Sequence, residues 1–131
     1  MIPKTLADFV YVALGGGIGA ALRHGVNRGV HVWFGLGLPF ATLAVNVVGC
    51  LLMGVLAGWF ALRGEDTTQT FRLFLTTGVL GGFTTFSAFS LDVVVFWERA
   101  ARGEAMLYVL VSVVTSVMAV FAGLAAARAA L

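Results

Sequence analysis

Charge is scarce in this chain, and cysteine scarcer. Asp, Glu, Lys and Arg make up 11% of the 131 residues, while 60% are hydrophobic. A soluble domain of this length is mostly surface and needs far more polar side chains than that. The lone Cys50 sits in an apolar run, which excludes a disulfide framework and a cysteine metal cluster. The formal charge of +2 is scattered, with no basic run to track a nucleic-acid backbone, so nucleic acid is not an expected partner. The N-terminal "MIPKTLADFV" is interrupted by Asp8 and leads into no bounded cleavage site, so a removable leader is not expected.

What is present is apolar length. Nineteen uncharged residues separate Arg72 from Asp92, and twenty-three separate Glu104 from Arg128. A hydrocarbon core of roughly 30 Å needs about 20 apolar helical residues to cross it. Residues 1–131 are therefore expected to form a single all-α membrane domain. Its four transmembrane helices fall near 5–27, 40–62, 71–97 and 105–127. Gly35, Gly37 and Pro39 punctuate the first connection. The first span has only fourteen uncharged residues between Asp8 and Arg23, so its ends are expected to reach the interface or a watery cavity.

Positive charge does not favour either side of these spans. Lys4, Arg63, Arg72 and Arg128 fall on one side, and Arg23, Arg28, Arg99 and Arg102 on the other. Orientation in a bilayer follows an imbalance of Lys and Arg, and four against four gives no instruction. Two readings stand: a weak bias set by a few local residues, or insertion both ways, which permits an antiparallel homodimer. Four helices are few for a complete pathway, which favours more than one copy.

"GGGIGA" at 15–20 matches a dinucleotide-binding pattern through Gly15, Gly17 and Ala20. That pattern needs a preceding strand and an acidic residue about 20 positions on. Here it lies within a span, and the next acid after Asp8 is Glu65. Gly15 with Gly19, and Gly54 with Gly58, read instead as small residues that let helices approach closely.

The polar residues inside the spans carry the functional information. Asn46 lies one turn after Thr42, and Tyr108, Ser112 and Ser116 recur every fourth residue along one helix face. A Ser or Thr in a membrane helix often bonds back to its own i−4 carbonyl, and an Asn can join helices. The alternative is a polar path. No Lys, Arg, Asp or Glu lies mid-span, where a proton-coupled transporter usually keeps a carboxylate. Hydroxyls and amides donate hydrogen bonds without carrying charge. Such groups suit a small anion that must enter and also leave.

Phe83, Phe86 and Phe89 are spaced three apart, either packing against lipid and protein or turning their electropositive ring edges to a passage. They belong to "GGFTTFSAFS", Gly81 to Ser90. With Gly78, this segment makes a continuous third helix doubtful. Irregular backbone at membrane depth persists only where protein or a cavity satisfies it. It would free carbonyls and expose half-helix ends.

"GGFTTFSAFS", "TLAVNVVGC" and "GGGIGAALRH" together resemble the Fluc (CrcB-type) fluoride channel family, in order and spacing along essentially the whole chain. The resemblance implies four-helix subunits that pair as antiparallel, dual-topology homodimers with a broken third helix and two pores. It implies passive export of fluoride across a bacterial plasma (inner) membrane, with no enzymatic chemistry. Phe86 and Phe89 would turn ring edges to the ion, and the Asn46 amide would donate to it. Tyr108, Ser112 and Ser116 would form a polar track, with Thr42 a further member. Arg23 would draw anions to a vestibule. The carbonyls of Gly81 and Thr84 from both subunits would hold a structural sodium ion at the dimer centre. Asp92 is expected to act as an interfacial anchor rather than at a vestibule rim. Ala88, Cys50 and His24 depart from the family's usual residues without touching Asn46, Phe86 or Phe89. Two rivals remain: a small multidrug-type exporter, which should carry an embedded Glu that this chain lacks, and a non-conducting scaffold.

Overall fold

The computed structural model describes residues 3–64 and 68–130; the middle of the second connection, 65–67, lies outside the described residues. Four helices are long and apolar enough to cross a membrane: Lys4–Phe34, Pro39–Arg63, Gln69–Glu98 and Arg102–Ala130. No strand forms among the described residues. The chain is a multi-pass membrane protein.

The first helix, α1 (Lys4–Phe34), runs seven residues beyond the expected end at position 27. Nothing between Asn27 and Phe34 breaks a helix, and it stops where Gly35 takes a left-handed conformation at φ 64°. At about 1.5 Å per residue, its 31 residues span roughly 46 Å, more than a hydrocarbon core, so one end extends past it. The second helix, α2 (Leu38–Arg63), starts with a proline in its first turn, where the missing N–H is no loss.

The third span is composite. A short α3 (Gln69–Leu73) is capped by the Thr68 side chain, which accepts from the Phe71 N–H. It leads into a π-helical stretch, Phe74–Leu80, and then one turn, α4 (Gly81–Phe83). Thr84 and Thr85 are extended, at φ −80°, ψ 159° and φ −154°, ψ 116°. Helix α5 (Phe86–Glu98) resumes with Thr85 as its N-cap, its hydroxyl accepting from the Ala88 N–H at 3.1 Å. The glycines are not where the backbone leaves the helix: Gly78 lies in the π-helical stretch, and Gly81 and Gly82 in α4. Three residues join α5 to α6 (Arg102–Ala130), which makes the two antiparallel neighbours.

The glycines serve contact instead. A Cβ on Gly78 would lie 3.0 Å from the Gly15 Cα, and one on Gly19 would strike the Val79 carbonyl, so α1 and the π-helical stretch touch backbone to backbone. A Cβ on Gly54 would meet the Val120 carbonyl, and one on Gly123 the Leu51 carbonyl, so α2 and α6 meet in the same way. Where lipid is as apolar as the side chains, such close van der Waals contact is what joins helices. The chain thus packs as two tight pairs, α1 with the first half of span three and α2 with α6. Helix α5 lies across α2 and α6. The wholly buried Val45 marks the centre of this packing.

Candidate functional site

Where α2, α5 and α6 converge there is a cavity of about 300 Å³. Its lining includes Asn46 from α2, Phe86 and Phe89 from α5, and Ser112 and Ser116 from α6. Thr84 and Thr85, the two extended residues, also face it. No lining residue carries a formal charge. The cavity therefore offers an amide, hydroxyls and aromatic rings, a set that can donate hydrogen bonds and present positive ring edges without holding a fixed ion.

Each side chain is positioned by its local structure. Phe86 and Phe89 are three residues apart on α5, with ring centroids 5.4 Å apart and planes tilted by 50°. Phe89 is buried, whereas Phe86 is 77% exposed in the single subunit. Asn46 makes two bonds to one residue: its Nδ2 donates to the Thr85 carbonyl at 3.0 Å, and its Oδ1 accepts from the Thr85 N–H at 2.8 Å. Ser112 is only 5% exposed, and its hydroxyl has no hydrogen-bond partner. A buried hydroxyl without a partner costs about 1–3 kcal/mol. Here it belongs to a side chain that lines the cavity.

The Tyr108, Ser112, Ser116 stripe divides. Ser112 and Ser116 line the cavity, and Tyr108 lies beyond Phe89, its ring 5.4 Å from that of Phe89 and 5.6 Å from that of Phe96. The Tyr108 hydroxyl donates to Asp92 at 3.0 Å, with Thr42 and Ser112 beside it. Thr42 is buried and does not line the cavity. Arg23 stands on α1, also outside the lining. Sequence reasoning missed Thr85 as the centre of the bonding, and the Tyr108 bond to Asp92. Only the capping role of Thr85 was legible in principle, because Thr is among the favoured N-cap residues.

The extended segment also releases two carbonyls. Thr85 N–H, the usual i+4 donor to Gly81, goes to Asn46, and Ala88 N–H, the usual donor to Thr84, goes to the Thr85 hydroxyl. Neutral carbonyls of this kind are oxygen acceptors without charge. No cluster of three His, Cys, Asp or Glu forms among the described residues.

Fold and site together define a multi-pass membrane protein with a small, uncharged and mostly apolar cavity that an amide and several hydroxyls border. Residues 10–124 match the family model described as "CrcB-like protein, Camphor Resistance (CrcB)". The chain belongs to the CrcB family. It is 50% identical over 121 residues to fluoride-specific ion channel FluC 2 of Nitrobacter hamburgensis, covering 92% of this chain and 97% of that protein. It is 54% identical over 120 residues to fluoride-specific ion channel FluC of Hyphomonas neptunium, covering 92% and 94%. A FluC of Methylobacterium nodulans is 51% identical over 125 residues, covering 95% and 96%.

Proposed function

We propose that this chain conducts fluoride passively through the membrane, as the names of its relatives suggest, and that the cavity is part of the ion path. The observation that carries this reading is the unpartnered, buried hydroxyl of Ser112 in an uncharged cavity shared with Asn46, Phe86, Phe89 and Ser116. A small anion needs donors that replace its hydration yet let it go, and hydroxyls with ring edges meet both needs. The reaction is transport alone; no bond is made or broken. Hydrogen fluoride enters a cell as a neutral weak acid and dissociates at cytoplasmic pH. An inside-negative potential of 100 mV then contributes about 2.3 kcal/mol per exported anion, which sustains a gradient of roughly 50-fold.

Two copies in antiparallel orientation complete the unit. The balanced charges support this arrangement, and so does Phe86, a path residue whose ring has 77% of its surface open in one subunit. Thr84–Thr85 is the functional interruption of the third helix, and the carbonyls of Gly81 and Thr84 from both copies would hold a sodium ion, supplying fixed positive charge at the centre of the dimer. Tyr108 and Thr42 continue the polar track past Phe89, and Arg23 attracts anions to the aqueous mouth.

The test is fluoride efflux from liposomes carrying the purified protein, read with a fluoride electrode while valinomycin clamps the voltage. Fast fluoride loss that spares chloride and collapses in Phe86→Ile is the expected result. Background flux from well-folded dimers would refute the function.

A further inference from the structure

We infer that Asn46 is a positioning residue for the ion path, acting through the Thr85 peptide to set the direction of α5. This inference rests on the fluoride-channel reading and assigns Asn46 a task apart from contact with the ion.

Thr85 is the buried member of the extended pair, in the middle of a span where water cannot satisfy its backbone. Its neighbour Thr84 keeps a helical bond, with its N–H donating to the Leu80 carbonyl at 3.0 Å and its hydroxyl to the same oxygen at 2.9 Å. The Thr85 N–H has no such recourse along its own helix, whereas its carbonyl, at the N-cap of α5, already accepts the first bond of that helix. Both its N–H and its carbonyl are taken by the single amide of Asn46, at 2.8 and 3.0 Å. The two bonds also fix the amide's orientation, since the N–H requires the oxygen and the carbonyl requires the nitrogen. They use one of the two Nδ2 protons, and the second remains for a ligand in the cavity.

The consequence is geometric. Thr85 in turn caps α5 through the Ala88 N–H, and Phe86 is the first residue of that helix. Asn46, the Thr85 peptide, the cap and the paired rings of Phe86 and Phe89 form one chain of contacts. Removing the amide leaves the Thr85 N–H unpaired at membrane depth and takes one of two donors from its carbonyl. The segment then escapes toward continuous helix or toward disorder, and both outcomes re-aim the rings. An alanine at 46 thus fails through α5 as well as through the lost donor.

The test uses the full chain in lipid nanodiscs without fluoride, following amide exchange at Thr85 by NMR, with efflux measured in parallel. In Asn46→Ala, protection of the Thr85 amide should fall by about tenfold or more, while amides in α1 and α6 keep theirs. In Asn46→Asp, a neutral carboxylic acid offers the same donor and acceptor, whereas the carboxylate keeps the acceptor for the Thr85 N–H and loses the donor to its carbonyl. The Thr85 carbonyl chemical shift should therefore match the wild type on acidification and move away as the carboxylate forms. That variant keeps the test open if Asn46→Ala does not fold. The efflux losses of Asn46→Ala and Thr85→Ala, taken as logarithms, should sum to more than the loss in the double variant.

Unchanged Thr85 protection in a non-conducting Asn46→Ala, or the same Thr85 carbonyl shift in both forms of Asn46→Asp, would overturn the positioning role and leave the channel reading intact. Additive losses would do the same. Absent efflux from the wild type with Thr85 protected would remove the channel reading and, with it, any role in a path.

Discussion

Tyr108 donates its hydroxyl proton to Asp92 across 3.0 Å, tying α6 to the middle of α5. Both residues are part-buried, and the Tyr108 ring packs on Phe89, whose other neighbour is Phe86. The carboxylate thus has a structural task beside the aromatic pair. Tyr108→Phe keeps the ring contacts and removes the only donor that reaches Asp92 among the described residues. It should lower unfolding stability by about 1–3 kcal/mol. Asp92→Asn keeps an acceptor and should cost less. Thermal unfolding in one detergent compares them.

Ser112→Ala separates fold from function. The hydroxyl has no partner to lose, so the variant should unfold within about 0.5 kcal/mol of the wild type, or slightly later. Fluoride efflux should nevertheless fall by about tenfold or more, the worth of one hydrogen bond to a charged species. Equal efflux would show that the ion does not use this hydroxyl.

Gly19→Ala and Gly25→Ala should behave oppositely. A Cβ at Gly19 strikes the Val79 carbonyl and comes within 2.8 Å of the Phe83 N, both backbone atoms that cannot swing aside. The yield of folded protein by size-exclusion chromatography should collapse. Gly25 has nothing within 4 Å of its would-be Cβ, so alanine there should express at wild-type level.

Sodium removal probes the carbonyls of Gly81 and Thr84. If they hold the ion, exchanging sodium for a bulky organic cation should lower the unfolding temperature of the dimer. The loss should follow a saturating sodium dependence. The same midpoint across sodium concentrations would rule out a stabilising sodium site.

Three lysines added to the connection around Arg99 and Arg102 would break the four-to-four balance. Reporter tags on the termini should then shift from a mixed to a single orientation, and efflux should drop as antiparallel pairs disappear. An unchanged tag pattern would mean that orientation was already fixed.

The four spans were legible in the sequence because apolar length is a local property: a run free of charge for about 20 residues has few places to go but across a bilayer. Their ends were less so, since α1 continues to Phe34 on a stretch that neither polarity nor glycine brings to a stop before Gly35. Asn46, Phe86, Phe89, Ser112 and Ser116 were also picked out beforehand, because polar groups and spaced aromatics stand out against an apolar background. The structure brings all five to one cavity. Thr42, Tyr108 and Arg23 share the same polarity signal and lie outside its lining, since polarity marks a residue without giving its direction.

The sequence by itself determined that this chain is an all-helical membrane protein, and its motifs carried the family. The tertiary structure decided what the residues of the third span do. Of the glycines that suggested a loosened helix, Gly78 and Gly82 press against the α1 backbone at Gly15 and Gly16, the close approach that joins helices in lipid. The backbone leaves the helix at Thr84 and Thr85 instead, where Asn46, 39 residues earlier in the chain, bonds both the N–H and the carbonyl of Thr85. No local pattern records a hydrogen bond to a partner on another helix, and that bond sets where the phenylalanines point.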